Sequence, residues 1–96
     1  MRARYLVAYD VSDPKRLRLV HKTVRGFGEA MQYSVFVCDL SDHEKVLLRG
    51  AVAEIIHADE DRVMIVHLGP ADGRGAQCFE ILGRQHAAED PGAVIV

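Results

Sequence analysis

With 96 residues and a formal net charge of −2, the chain fits one domain and leaves little room for a second. The charge excludes a protein that is basic all over, so contact with nucleic acid has to come from a local patch. Hydrophobic residues make up 49% and charged residues 27%, as in a soluble globular protein, and no apolar stretch approaches the roughly 20 residues that span a bilayer, so no membrane partner is expected.

The sequence opens Met-Arg-Ala-Arg-Tyr. That leads straight into a strand rather than a signal peptide, and a cytoplasmic location is expected. Arg4 to Asp10 (RYLVAYD) reads as a buried strand bounded by a Ser-Asp-Pro break. Asp13-Pro14 is a helix start, with Asp13 as cap and Pro14 at the first helical position. Leu17, Val20, Val24 and Phe27 recur at helical spacing and form an apolar stripe. Lys15, Arg18, Lys22 and Arg25 recur on the opposite side. Gly26-Phe27-Gly28 ends the helix, with either glycine available for a left-handed cap.

Gln32 to Leu40 reads as a second strand. Ala30 to Leu40 contains no turn residue, so one long, bent strand is expected. Ser41 and Glu44 form a capping box, and Leu47, Leu48, Ala51, Val52, Ile55 and Ile56 make the inward side of the helix that follows. Arg62 to Leu68 is a third strand, Gly69 to Gln77 a turn-rich loop, and Cys78 to Leu82 a fourth, short strand. Gly83 to Gly92 reads as a connector before the apolar end Ala93 to Val96. The pattern gives one sheet and two helices in an α/β sandwich. Cys38 and Cys78 lie in apolar runs and are expected to be buried, reduced thiols; without CxxC or paired His spacing, a zinc site is not expected.

The strands do not alternate apolar and polar residues, as a sheet with one wet face should. Tyr5, Val7 and Tyr9 point one way, Leu6 and Ala8 the other. Val63 and Ile65 likewise oppose Met64, Val66 and Leu68. Two short helices cover only one face. Leaving about six apolar side chains wet forgoes roughly 1.5–3 kcal/mol each, comparable to the whole stability of a small domain, ~5–15 kcal/mol. A second copy of the chain is therefore expected on the other face, most simply as a C2 homodimer. The tail Ala93 to Val96 suits addition to a partner's sheet edge. The alternative is that it folds back on its own edge.

Asp10 is the outstanding candidate site residue. It is a carboxylate at the tip of an apolar strand, beside a helix start and a cluster of positive charge. Either it is a cap or hydrogen-bonded structural group, or it is a metal ligand. A single Mg²⁺ often takes only one or two carboxylates, with water and substrate phosphate completing the set. In a symmetric dimer two copies of Asp10 could face each other across the axis and clamp metal on a scissile phosphate. Ser12, Asp13 and Asp39 are weaker supporting candidates. The basic stripe Lys15, Arg18, Lys22 and Arg25 is either a solvated face or a track for a nucleic-acid backbone. Arg16 sits off the stripe and could reach the same phosphate as Asp10. The five histidines show no ligand spacing. Asp72-Gly73-Arg74-Gly75 reads as a plain turn with Arg74 at its tip.

Several of these residues together match a known pattern. It consists of a first strand ending in Tyr9-Asp10, an Asp/Ser-rich turn with Ser12-Asp13, the Lys/Arg run, Gly26-Phe27-Gly28, and then Gln32-Tyr33-Ser34-Val35-Phe36. In this order and spacing, residues 5 to 41 resemble the small dimeric CRISPR-associated adaptation proteins of the "Cas two" type. The strand from 61 to 68 also fits, and 69 to 96 matches in outline. The resemblance implies an α+β, ferredoxin-like sandwich: one antiparallel sheet, two helices on one face, and a dimer through the other. It implies a domain over 1–84 and, over 85–96, a connector and strand that crosses to the partner subunit.

For function, the resemblance implies spacer acquisition. The homodimer would bind DNA or RNA, bridge the partner integrase, and act as a Mg²⁺-dependent endonuclease (Mn²⁺ as substitute) through the two Asp10 side chains. The alternatives are a non-catalytic DNA-binding scaffold of the integrase complex and a toxin-type ribonuclease on the same fold. The chain departs from the family pattern at Ala30 or Met31, where many relatives carry a basic residue, and at Val37, where many carry Glu. That weakens the case for substrate contact around the second strand and leaves Asp10 untouched.

Overall fold

The computed structural model describes residues 1–84 and the backbone of a strand at 93–95. The chain starts with β1 (Ala3–Asp10) and passes through α1 (Pro14–Arg25) into β2 (Glu29–Gln32) and β3 (Val35–Leu40). It continues through α2 (Asp42–Ile55) to β4 (Arg62–Pro70), a short α3 (Arg74–Gln77) and β5 (Phe79–Ile81), with β6 at Ala93–Ile95. The first four strands form one antiparallel sheet in the order β2-β3-β1-β4. This order, with β-α-β-β-α-β connectivity, is the ferredoxin-like arrangement.

Local chemistry explains both main helices. The Asp13 carboxylate accepts the Arg16 amide at 2.9 Å and Pro14 occupies the first helical position. On α2 the Ser41 hydroxyl accepts the Glu44 amide at 3.2 Å, and the Glu44 carboxylate accepts the Ser41 amide at 2.8 Å. These bonds satisfy amides that a helix start otherwise leaves free. Glu44 also pairs with Arg2 near the start of β1.

One core sits between the helices and one sheet face. Tyr5, Val7 and Tyr9 of β1 and Phe36, Cys38 and Leu40 of β3 pack there with Val20 and Val24 of α1 and Leu48 and Val52 of α2. The opposite face is built from rows of paired residues, because directly opposed residues share a face. Arg4 pairs with Asp39, Leu6 lies between Val37 and Val66, and Ala8 between Val35 and Met64. Met64 keeps 50% of its surface exposed. At one end of this open face, α3 covers Arg4. The Arg4 guanidinium grips Asp39 with two bonds of 2.7 and 3.0 Å and reaches the Gly75 carbonyl at 3.4 Å. A Cβ on Gly75 would sit 2.7 Å from the Arg4 Cβ, so the close approach requires glycine.

Five sequence expectations are corrected. Ala30 to Leu40 is not one bent strand but a hairpin turning at Tyr33-Ser34. No described non-glycine residue has positive φ, so the turn needs neither Gly nor Asn, and nothing in composition marks it. A register irregularity between Ala30 and Gln32 absorbs the twist. Neither Gly26 nor Gly28 takes the left-handed conformation. α1 closes through Thr23 and Val24 carbonyls that accept the Gly26 and Phe27 amides. Gly28 serves close packing instead, since a Cβ there would meet the Val37 carbonyl and lie 2.5 Å from Cys38 Sγ.

Leu47, expected inward, is exposed because Leu48 and Val52 fill the core side of α2. The turn-rich segment after Gly69 contains α3. Cys78 ends α3 on the surface rather than in a core, although Cys38 is buried as expected. Beyond these corrections, β5 does not join the main sheet. It pairs in parallel with β6 of the same chain, in a separate two-stranded sheet. Addition of the tail to a partner's edge concerns a second copy. The connector 85–92, with His86, and the last residue, 96, lie outside the described residues.

Candidate functional site

Asp10 is the last residue of β1 and is exposed. Alternation along β1 puts it on the same face as Arg4, Leu6 and Ala8, at the far end from the Arg4–Asp39 pair. The open face thus runs from an ion pair, through an apolar middle, to a carboxylate at its rim. Arg62 stands opposite Asp10 on β4. Among the described residues, the Asp10 side chain makes no hydrogen bond or ion pair. It is neither a helix cap nor a buried structural group.

The loop after Asp10 is held firmly. Val11 is buried, and the Asp61 carboxylate accepts the Ser12 amide at 3.1 Å, Arg16 Nε at 2.7 Å, Arg16 Nη2 at 3.2 Å and the His57 amide at 2.8 Å. Glu60 adds a 3.1 Å contact to Arg16 Nη2. The Asp61 side chain has no solvent-exposed surface although it lies in a shallow surface loop, because its own donors cover it. Those donors hold its carboxyl well below the usual carboxylate range, the Arg16 hydrogen bond most of all, followed by the amides of His57 and Ser12. This carboxylate ties the exit of β1, the start of α1 and the entry to β4 together, one residue from Arg62.

The sequence alone did not single out Asp61. Its partners lie 45 and 49 residues away, and local pattern does not reach that far. The one available signal was a carboxylate immediately before the apolar run of β4.

Lys15, Arg18, Lys22 and Arg25 are all exposed, on the side of α1 away from buried Val20 and Val24. No acidic residue stands in the first turn of α1 to offset them. The stripe therefore lies on the outer side of the helix layer, whereas Asp10 lies on the other side of the sheet. Arg16 does stand off the stripe, and its Nε and Nη2 are engaged by Asp61 and Glu60. Of the weaker candidates, Asp13 caps α1, Asp39 pairs with Arg4, and Ser12 is bound to Asp61. Arg74 is exposed on α3. Burial pushes the Cys38 thiol up to about 11, with Asp39 adding to the effect; such a thiol is inert as a nucleophile.

No group of three or more His, Cys, Asp or Glu among the described residues is placed to hold a metal ion. At this rim, among the described residues, Asp10 offers a carboxylate with no hydrogen-bond or ion-pair partner. That fits a hard cation such as Mg²⁺, which keeps several waters and binds through one or two carboxylates plus phosphate oxygens. It does not fit a closed, all-protein cage. No described helix is long and apolar enough to cross a membrane.

Comparison with known proteins identifies the family and supports the fold. The family described as CRISPR associated protein Cas2 matches residues 1–73. The chain is 38% identical over 87 residues to the CRISPR-associated endoribonuclease Cas2 1 of Rhodospirillum rubrum, covering 84% of this chain and 85% of that one. It is 41% identical over 68 residues to the CRISPR-associated endoribonuclease Cas2 of Geobacter sulfurreducens, covering 71% and 72%. The crystal structure of Streptococcus pyogenes Cas2 superposes with a TM-score of 0.65 at 35% identity, over 69% of this chain and 86% of that one. The sequence match spans β1 through β4, the elements that position Asp10 and the basic stripe, and the chain belongs to the Cas2 family of CRISPR-associated proteins.

Proposed function

We propose that this chain works in CRISPR adaptation as a homodimer that binds nucleic acid and cleaves phosphodiester bonds, with Asp10 of each copy at the reacting centre. The observation that carries the reading is the position of Asp10: exposed, without a side-chain partner among the described residues, at the rim of an apolar sheet face that α1 and α2 leave open. A second copy packed on that face would bury Leu6, Val35, Val37, Met64 and Val66 and bring two Asp10 side chains toward one axis. Together they would hold Mg²⁺, which when bound neutralises charge on a phosphodiester and activates water. The Asp61 clamp fixes the backbone around Asp10, and the basic stripe holds phosphates. The names of the relatives support RNA as the substrate, with DNA as the competing outcome. A symmetric dimer also presents each outer surface twice, which suits bridging of a partner integrase.

The test is cleavage of labelled RNA and DNA in Mg²⁺ and in EDTA. Metal of this kind is worth several kcal/mol of transition-state stabilisation, so Asp10→Asn should cut the rate by roughly two orders of magnitude or more. Cleavage that persists in EDTA, or in Asp10→Asn, would sink the reading of Asp10 as the metal-holding centre, and no cleavage in Mg²⁺ would sink the nuclease reading.

A second reading is favoured by one observation: the basic stripe and Asp10 lie on opposite sides of the sheet. A scaffold that holds DNA along α1 without cutting it would use the stripe alone. In that reading Asp10→Asn binds DNA as tightly as the unaltered protein. Replacing Lys15, Arg18, Lys22 and Arg25 with Ala flattens the salt dependence of binding by up to about 0.9 in slope for each phosphate no longer neutralised. An unchanged slope would make the stripe only a solvated face.

A further inference from the structure

Tyr33 stands at the tip of the β2–β3 hairpin with 72% of its surface exposed. A lone exposed aromatic needs no explanation, but this one is backed. Its ring lies against the His21 imidazole, with centroids 5.7 Å apart and planes 25° apart. His21 is fixed from two further sides. Its Nδ1 shares a 2.8 Å hydrogen bond with the Tyr9 hydroxyl, and its ring meets Phe36 edge-on at 5.3 Å. The hairpin tip is also tied to β1, because the Ser34 carbonyl accepts the Tyr9 amide at 3.1 Å. The stack is thus anchored to the residue beside Asp10, while the outer side of Tyr33 faces solvent.

The surroundings are cationic. On α1, Arg18 lies three residues before His21 and Arg25 four residues after it, which makes both its neighbours along the helix surface. Both are exposed, and Lys22 follows His21 directly. A rigid, solvent-facing aromatic with a cation on either side is the arrangement that proteins use to bind single-stranded nucleic acid: bases stack on the ring, and charges follow the backbone. Stacking tolerates any base, because every base has a π-face. It requires an unpaired base, because the base faces inside a duplex are already covered by their neighbours.

We infer that the Tyr33–His21 stack is a subsite for one unpaired nucleobase, with Arg18 and Arg25 on the flanking phosphates. The inference rests on the nucleic-acid reading above and adds to it where one base of the substrate is held, at the hairpin tip on the helix side of the sheet. Tyr33 places the base and takes no part in bond cleavage.

Binding is best measured on the Asp10→Asn protein, so that cleavage does not interfere. Fluorescence anisotropy would follow a short labelled oligouridine and a blunt RNA duplex of the same length. Tyr33→Ala should weaken single-strand binding about 5- to 100-fold and leave duplex binding within about two-fold. Tyr33→Trp should restore the single-strand affinity. An unchanged thermal midpoint would show that Tyr33→Ala keeps the fold, as expected for an exposed residue. Single-strand affinity that is unchanged in Tyr33→Ala, or a loss equal for both RNA forms, would overturn the stacking subsite. If Ala substitutions along the basic stripe still weaken binding in that case, the nucleic-acid reading survives without the stack. If the Asp10→Asn protein binds neither RNA form, both readings fail together.

Discussion

Alternate residues of β1 face two different worlds. Tyr5, Val7 and Tyr9 meet the helices and are buried with Phe36, Cys38 and Leu40. Leu6 and Ala8, equally apolar, face away from α1 and α2 and stay half-buried beside Val35, Val37, Val66 and exposed Met64. The covered face is complete within one chain. The open face has the composition of a core without its second half. Asp10, at its rim, has no side-chain partner among the described residues. The lesson is that apolar residues on both faces of a strand report on assembly as well as on folding.

The covered face should carry the fold. Phe36 is fully buried and touches both His21 and Tyr9. Phe36→Ala should cost about 3–5 kcal/mol in urea unfolding, a large part of the stability of a domain this size. A loss below about 1 kcal/mol would mean the core does not depend on that face.

The clamp at the rim should give a smaller effect that depends on pH. The folded-state pKa of Asp61 lies below the unfolded carboxylate value of about 3.9. The ionised group therefore contributes stability above that pH, and the contribution drains away as pH falls toward the folded value. Asp61→Asn should be less stable than the parent at neutral pH, and the gap should narrow below about pH 4. A constant gap across an acid series of thermal midpoints would show that Asp61 acts through shape rather than charge.

The open face should give the smallest effect on folding and a large one on assembly. Met64→Asp changes an exposed position, so the isolated chain should shift by no more than about 0.5 kcal/mol. In light scattering at micromolar concentration the parent should have a dimer mass and the variant a monomer mass. A dimer that survives Met64→Asp would move the interface off this face.

Much of the fold was legible along the chain because its signals are local. Asp13-Pro14 and Ser41 with Glu44 cap the helices through bonds between residues three apart. The stripes of α1 and α2 follow from helical spacing, and Leu47 was misplaced only because a neighbouring leucine claims the same side of the helix. The hairpin at Tyr33-Ser34 was hidden, since its turn needs no positive φ and so no glycine. The site divided in the same way. Asp10 and the basic stripe stood out as charge in unusual local company. Asp61 and the Tyr33–His21 stack did not, because each is made by residues far apart in the chain.

The sequence by itself therefore determined β1, β4, the two main helices with their N-terminal caps, the two-faced strands and the one conspicuous carboxylate. These depend on neighbours within a turn or two of the chain. Only the tertiary structure decided which face the helices cover, that Asp10 lies on the uncovered one, that Arg16 turns to Asp61, and that Tyr33 is backed by His21. Those outcomes depend on strand order and register, which bring residues 12 to 49 positions apart into contact, and the free energy that selects them is that of packing the whole domain.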